Sequence, residues 1–373
     1  MTKAAELAKM GEVLTNSQIG GRRNIIINGA MQVAQRATSA TGLGSNGSTY
    51  NTLDRFINVL NGTAGRFTQT QTADGPSGFA NCLKIDVTTA DTSIASGEYY
   101  ILAHYLEGQD VQQIKKGTSD AEKVTVSFYV KGNASATYTL ELEDADNNRR
   151  NSQTFAVTTS WNRVVLTFNA DTTGTLDDDN ARSFNVNFWL HAGSDFTGGT
   201  FSNNSWGTDT NTRVSSSQTS IFDSTDRTFF LTGLQMEVGS QATPFEHRSF
   251  GEELALCRRY YYQLGNVQLP ASSSPPYGRV GQGQAISGTV GRVPFFFPQA
   301  MRAIPTAEVN NIQIGNGATG AINLTDAGID TNTDSPDGVT IDFTVSSGLT
   351  SGQGCQAFQG NNSAGFVAFK AEL

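Results

Sequence analysis

The sequence predicts an all-β protein: a jelly-roll sandwich, a short connecting helix and a smaller C-terminal β-sandwich, preceded by a short N-terminal helix. Two patterns and the composition predict it. Apolar and polar residues alternate over short runs, the period of a strand with one buried face. Polar turn residues separate those runs. Hydrophobic residues make up 37% of the chain and charged residues only 16%, with Gly, Ser, Thr and Asn abundant, a mixture that favours strands joined by tight turns. At 373 residues the chain is too long for one ordinary sandwich and has room for two cores.

Residues 1–20 are expected to form an anchor or oligomerisation helix. Thr2 can cap it, and Leu7, Met10 and Leu14 follow at three- and four-residue steps in a narrow, seam-like stripe. A helix this short is near the limit of about 12–15 residues below which isolated helices are marginal, so it must pack on something. Residues 21–50 are expected to hold a lead strand over Asn24–Arg36, then a Gly/Ser/Thr/Asn loop to Tyr50. Residues 51–248 make the jelly roll, with alternation at Val124–Val130, Tyr138–Leu142, Val186–Leu190 and Phe230–Val238. Turns are expected at Lys131–Asn133, Asp144–Asn148 and Asp171–Gly174. Pro244 has no amide proton for a ladder, so the last strand should stop there. Residues 249–265 read as a helix, with Leu254, Cys257, Tyr261 and Leu264 on one face. A stiff Ser/Pro stretch opens residues 266–373, where strands are expected at Val293–Pro298, Val309–Ile314, Val339–Val345 and Phe366–Leu373.

Several functions are disfavoured. A net charge of −9 and the lack of a Lys/Arg stripe with interleaved aromatics make nucleic acid a poor partner. No apolar run is long enough to cross a bilayer, and residues 1–20 lack the continuous apolar core of a secretion signal, so synthesis in a cytoplasm is expected. Cys82, Cys257 and Cys355 lie too far apart in sequence for a zinc motif and read as buried thiols.

Catalytic signatures are equally sparse. Gly315–Gly320 has the spacing of a dinucleotide loop, but Ala321–Thr325 continues as a strand and supplies no helix N-terminus, so a hairpin loop is expected. Asp144, Asp146 and Asn148 imitate the start of a calcium loop, yet Arg149 and Phe155 stand where a glycine and a bidentate glutamate belong. No cofactor is therefore expected beyond a weakly held calcium, for which Asp177–Asn180 is a second acidic candidate. His104, His191 and His247 are each explained locally, and no nucleophile elbow occurs. Paired carboxylates for sugar cleavage are not readable from sequence, but the long β-helical repeat typical of a depolymerase is missing. Trp161 and Trp189 fall in strand patterns and are expected in a core. Trp206, in a polar loop, and Tyr277, after a double proline, are the candidate ligand contacts.

Two segments carry a resemblance. Asn24-Ile-Ile-Ile-Asn-Gly-Ala-Met-Gln-Val-Ala-Gln-Arg36 and Leu231-Thr-Gly-Leu-Gln-Met-Glu-Val-Gly-Ser240, the latter continuing through Thr-Pro-Phe-Glu-His-Arg248, resemble segments of marine bacteriophage tail-fibre proteins. The order Glu98–Ile101, Leu106–Val111, Val124–Val130, Trp161–Phe168 resembles the carbohydrate-binding-module jelly roll within such fibres. Phe297–Thr306 and Phe369–Leu373 resemble their small C-terminal sandwich. The resemblance implies a non-enzymatic virion protein, attached to other tail proteins by its N-terminus, commonly trimeric, and touching a host-surface glycan or protein with its distal C-terminal domain. A head decoration fibre, a free carbohydrate-binding module and a polysaccharide-degrading enzyme are the alternatives.

Overall fold

The computed structural model describes residues 3–4, 22–265, 278–316, 320–332, 334–360 and 364–373. Strands make up 47% of it, and the fold is an all-β jelly-roll sandwich. The contacts divide the chain into two compact units that meet between Glu253 and Leu254. Lys3 and Ala4 are helical, while Leu7, Met10, Leu14 and Tyr277 lie outside the described residues.

The first unit holds β1 (Ser39–Thr49), β2 (Phe56–Thr72), β3 (Cys82–Thr89), β4 (Tyr99–Glu107), β5 (Val124–Gly132), β6 (Ala136–Asp144), β7 (Arg149–Val157), β8 (Asn162–Phe168), β9 (Arg182–Ala192) and β10 (Thr228–Val238). Hydrogen bonding runs β7-β6-β9-β4-β2-β3-β10-β5-β8, with β1 on β2. The long strand β2 is shared: Phe56–Asn61 pair with β4 and Arg66–Thr72 with β3. It thereby joins a front layer, β7-β6-β9-β4, to a back layer, β3-β10-β5-β8. Every ladder is antiparallel. One set of alternate residues meets in the core, including Tyr138, Leu140 and Leu142 of β6 with Phe128, Val130 and Leu231 of β5 and β10.

Three expectations for this unit are corrected. Asn24–Arg36 is not a strand. Ile26 and Met31 are buried, but Asn28 and Met31 take positive φ, and the chain runs as irregular backbone along β10. The Gly/Ser/Thr/Asn stretch to Tyr50 is not a loop but the edge strand β1, whose glycines sit at register shifts against β2. The strand before Pro244 ends earlier, at Val238, where Gly239 turns away at φ 110°. The side chains of Gln235 and Glu237 then fold the chain back: Gln235 Oε1 accepts the Glu246 amide at 2.7 Å, and Glu237 accepts the Thr243 amide at 3.1 Å.

Buried irregular backbone must find partners for its polar groups. Here it finds them in the two segments singled out in the sequence. Asn24 Oδ1 accepts the Met236 amide at 3.1 Å and its Nδ2 donates to Leu234 O at 3.2 Å. Glu246 accepts the amides of Arg23 and Asn24 at 2.8 and 2.7 Å. Arg248 donates to the carbonyls of Asn24 and Ile26, and Glu253 accepts the Asn28 amide at 2.5 Å while pairing with Arg248 at 3.3 Å. Gly29 accepts from the Leu234 amide at 3.0 Å. A Cβ at Gly29 would stand 2.1 Å from Leu234 O, so no larger residue fits. His104 Nε2 donates to Ile27 O at 3.0 Å from a fully buried position.

Helix α2 of the chain (Phe250–Arg258) follows a four-residue α1 (Ser194–Thr197) in the loop after β9. The expected helix to residue 265 is thus shorter. Tyr261–Gly265 form strand β11 and pair with Phe366–Lys370, since Tyr-Tyr-Gln-Leu alternates as readily as it spaces helically. The buried residues of α2 are Glu253 and Cys257 rather than a Leu254 face.

The second unit holds β11 and β12 (Arg279–Ala285), β13 (Val290–Phe296), β14 (Thr306–Asn310), β15 (Ile312–Gly315), β16 (Ile322–Asn323), β17 (Asp326–Ile329), β18 (Gly338–Thr344), β19 (Gly354–Gln359) and β20 (Phe366–Lys370). Its sheets run β11-β20-β14 and β16-β15-β19-β12-β13-β18-β17, around a core with Val293, Phe295, Ile341, Phe343 and Phe369. The single strand expected at Val309–Ile314 is two strands in different sheets, divided at Asn311, whose φ is 47°. β15 and β16 pair antiparallel, so the chain after the glycine run of residues 315–320 continues as a strand at Ile322–Asn323 as expected, while residues 317–319 of the run itself lie outside the described residues.

Two outcomes follow. Arg248→Ala leaves Glu253 buried without its cation and should destabilise the first unit by about 3–5 kcal/mol in urea titration. Burial, with the nearby Arg55 charge, pushes His104 down to about 3. The unfolded chain therefore gains a proton near pH 6.5 that the folded chain refuses. Stability should fall as pH drops from about 6 to about 4, by about 1.4 kcal/mol per pH unit from this group. His104→Leu should flatten that slope.

Candidate functional site

Alternation on β6 and β9 that sends Leu140 and Val186 inward sends Glu141, Glu143, Asn185, Asn187 and Trp189 to the opposite, outer face of the front layer. Half of that face is apolar. Ile57, Ile101, Ala103, Tyr105 and Trp189 pack with Val214 from the loop after β9. Phe196 of α1 closes on Trp189 at 5.1 Å and Tyr99 at 5.4 Å. Trp189 is buried as expected, although in this outer layer and not between the sheets.

The other half is ionic. Arg213 clamps Glu141 with bonds of 2.7 and 2.6 Å, and Glu143 receives Asn185 at 2.9 Å, Asn187 at 3.0 Å and Arg150 at 3.2 Å. Burial would raise the Glu143 carboxyl, but the charges of Arg213 and Arg150 outweigh it and hold the group below its usual range. Arg182 lies over the Tyr105 ring at 3.8 Å. Beside this lattice, residues 202–212 lie against β7, through bridges Arg150↔Gly207 and Ser152↔Asn203, and leave a polar recess between Arg150, Ser152, Ser202, Ser205, Asp209 and Thr212.

Trp206 stands between two lining residues of that recess, Ser205 and Gly207. It is half-buried, not loose: its Nε1 donates to Asn169 O at 2.7 Å, and it packs on the main core. One face meets the Lys116 ammonium at 5.1 Å. Lys116 is buried and donates to Asp144, to Asp171 at 3.0 Å and to the carbonyls of Thr173 and Gly174 at 2.7 and 3.0 Å. Asp144 thus serves a lysine. Asp146 instead accepts the Asp177 amide, and Asn148 makes the β6–β7 turn at φ 53°, so the three do not converge as calcium ligands.

Trp161 is the opposite case. The sequence places it in a core, but it sits on the outer face of the back layer, half-buried, its Nε1 donating to Asp74 O at 3.1 Å and its ring against Phe230 and Lys131. It precedes β8 by one residue, where the strand's alternation no longer governs it. Cys82, Cys257 and Cys355 are buried and form no disulfide. No helix among the described residues is long and apolar enough to cross a membrane.

One cluster had no sequence signal. Asp91, Glu98 and His191 bring one ligand atom each within 4.8 Å of one another. They come from the β3–β4 loop, from the residue before β4 and from the end of β9; pairing of β4 with β9 brings Glu98 to His191, and bonds to Thr63 and Ala64 of β2 hold Asp91 beside them. Burial pushes the His191 imidazole down while the two carboxylates act against it. His247 lies elsewhere, packed on Phe79 and Phe245.

No protein-family model matches the chain, and no curated protein matches it. Solved structures align with the chain at low similarity. A xylan-binding domain of carbohydrate-binding module family 22 aligns at 9% identity over 59% of this chain and 98% of its own, with a TM-score of 0.30. The family 11 module from Clostridium thermocellum, in complex with a mixed-linked tetrasaccharide, aligns at 12% over 56% of this chain and 99% of its own, with a TM-score of 0.28. The enzymatically active domain of bacteriophage CBA120 tailspike protein 4 aligns at 12% over 58% of this chain and 21% of its own, with a TM-score of 0.29.

Lys116→Met strands two buried carboxylates and should cost about 3–5 kcal/mol in denaturant titration. In Asp171, hydrogen bonds from Arg149 and Lys116 outweigh the opposing effect of burial and hold the carboxyl below its usual range. Its contribution is therefore complete above the ordinary carboxylate range near pH 4 and is lost as pH falls below it. Asp171→Asn should reduce that acid-side loss.

Proposed function

We propose that the chain is a structural, non-catalytic component of a phage tail fibre or fibre-like appendage, whose first unit holds a host-surface glycan. One observation carries the ligand part: the recess beside β7 is only about 10 Å³, room for a water, but its rim carries hydroxyl, carboxylate and guanidinium groups across which a sugar can lie, and Ser205 and Asp209 there are exposed. Vicinal sugar hydroxyls need paired donors and acceptors held at fixed positions, and the Arg150–Glu143 and Arg213–Glu141 pairs behind the recess hold its arginines still. Trp206 acts here as a positioning residue, since its burial and its bond to Asn169 fix the loop that carries Ser205 and Gly207.

Binding fits the site better than cleavage. A glycosidase needs one protonated carboxyl as general acid. On this face Arg213 and Arg150 hold the Glu143 carboxyl below its usual range, and the buried Glu141 is bidentate with Arg213 and also accepts Asn187 Nδ2 at 3.0 Å. The fibre reading draws its support from the sequence resemblance, and the two fibre-like segments bond to each other through Asn24, Glu246 and Arg248. In this reading residues 1–20 attach the protein to other tail proteins and make a trimer, which multiplies weak glycan contacts through effective concentration.

On a glycan array, Asp209→Ala should weaken binding about tenfold with an unchanged melting temperature, the loss of one charged hydrogen bond. Trp206→Ala should weaken it as well. Release of reducing sugar from a bound glycan would overturn the non-catalytic reading. Light scattering should report a trimer for the full chain and a monomer without residues 1–20; a monomer in both cases would count against the fibre.

A further inference from the structure

The cluster of Asp91, Glu98 and His191 has no part in the glycan face, and its groups are arranged more specifically than a chance meeting of side chains. A β-bulge sets it up. Tyr100 pairs with His191 and Ile101 with Trp189, so Leu190 is the extra residue of β9 and the alternation shifts just before His191. The imidazole is thereby turned to the side of Phe222, at 5.3 Å, instead of following Trp189 to the outer layer.

Each group is held by a neighbour. Asp91 Oδ2 accepts Thr63 Oγ1 at 2.9 Å and the Ala64 amide at 2.7 Å, and its Oδ1 receives only a long bond, 3.3 Å, from the Ser93 amide. Glu98 Oε2 accepts the Ala95 amide at 3.0 Å. His191 Nδ1 meets Ser220 Oγ at 2.8 Å, and that hydroxyl also accepts the Phe222 amide. A ring nitrogen tied to a second partner, leaving the other to face two carboxylates, is the arrangement of a metal-bound imidazole.

His191 Nε2 itself has no hydrogen-bond partner, although the side chain is 0% exposed. Glu98 Oε2 is 3.7 Å away, beyond hydrogen-bond reach. Among the described ion pairs neither carboxylate meets an arginine or lysine, and Glu98 faces the imidazole. In the tautomer whose Nδ1–H donates to Ser220 Oγ, Nε2 turns a lone pair toward the two carboxylates, and a divalent ion would bond all three. We infer that Asp91, Glu98 and His191 bind a divalent first-row transition ion of the zinc class, which ties the β3–β4 loop to the end of β9.

The donor set selects the ion. One imidazole with two carboxylates suits zinc and its neighbours, whereas calcium and magnesium take oxygen donors almost exclusively. Bonds of 2.0–2.1 Å in a tetrahedron space ligand atoms roughly 3.3 Å apart. Glu98, the most exposed of the three, closes the remaining gap, and the exposed residues Thr92–Ser96 give the ion its entry. Three protein ligands leave the fourth position to water.

The full chain, stripped with chelator, is titrated with zinc chloride by calorimetry and with cobalt chloride by absorbance. One equivalent of zinc should bind, raising the melting temperature, with a tetrahedral cobalt spectrum that lacks a thiolate band. Glu98→Gln, near the surface and so the variant least able to disturb folding, should weaken zinc at least tenfold, and Ser220→Ala about 10–100-fold. Asp91→Asn should abolish binding with circular dichroism unchanged for Glu98→Gln. Absence of stoichiometric zinc binding overturns the inference. So does binding that Glu98→Gln and Asp91→Asn leave intact, a thiolate band, or calcium binding as tightly as zinc. None of these outcomes bears on the glycan array.

Discussion

Satisfying the backbone of Asn24–Met31 is the constraint on which the first unit depends. This irregular stretch enters the core with its amides and carbonyls unpaired by any ladder, and leaving such groups bare costs about 1–3 kcal/mol each. Asn24, His104, Glu246, Arg248 and Glu253 meet that demand from four places in the sequence. The clasp also fixes β10, the strand between β3 and β5, by its bonds to Leu234 and Met236. The back layer is therefore tied to the start of the chain by polar contacts, while the layers themselves are joined by hydrophobic burial.

A sandwich that is apolar between its sheets has its outer faces free for other uses. In this protein the front outer face is split between an aromatic patch covered by the loop after β9 and an ionic lattice on β6 and β9. The lattice is held together by paired charges and by the amides of Asn185 and Asn187. Lys116 plays a comparable part at the edge of the unit, occupying with its ammonium a nest of carboxylates and carbonyls. Both arrangements place charge inside the protein at the cost of desolvation, which pairing must offset.

Strands with one face in the core were legible in the sequence because burial imposes a period of two: β5, β6, β9, β10, β13 and β18 lie where the alternation put them. Misreadings arose where another constraint governed the residues. Ile25–Ile27 are apolar because they are buried, but burial alone does not make a strand, and the positive φ of Asn28 and Met31 breaks one. β1 was hidden by its glycines, since an edge strand with register shifts needs little alternation. Tyr261–Leu264 satisfied both periods, and only the partner strand Phe366–Lys370 decided between them.

By itself the sequence determined the all-β class, the turns between β5, β6 and β7, and the segments that would matter at the end of the jelly roll, because local periodicity and turn chemistry act within a few residues. Tertiary structure alone decided the rest. That Trp206 covers a buried lysine, that Glu141 and Glu143 share a face with Arg213, and that a bulge at Leu190 turns His191 toward Asp91 and Glu98 all depend on strand register. Register is settled by pairing between residues far apart in the chain, and a one-residue slip exchanges the two faces, so no local pattern carries it.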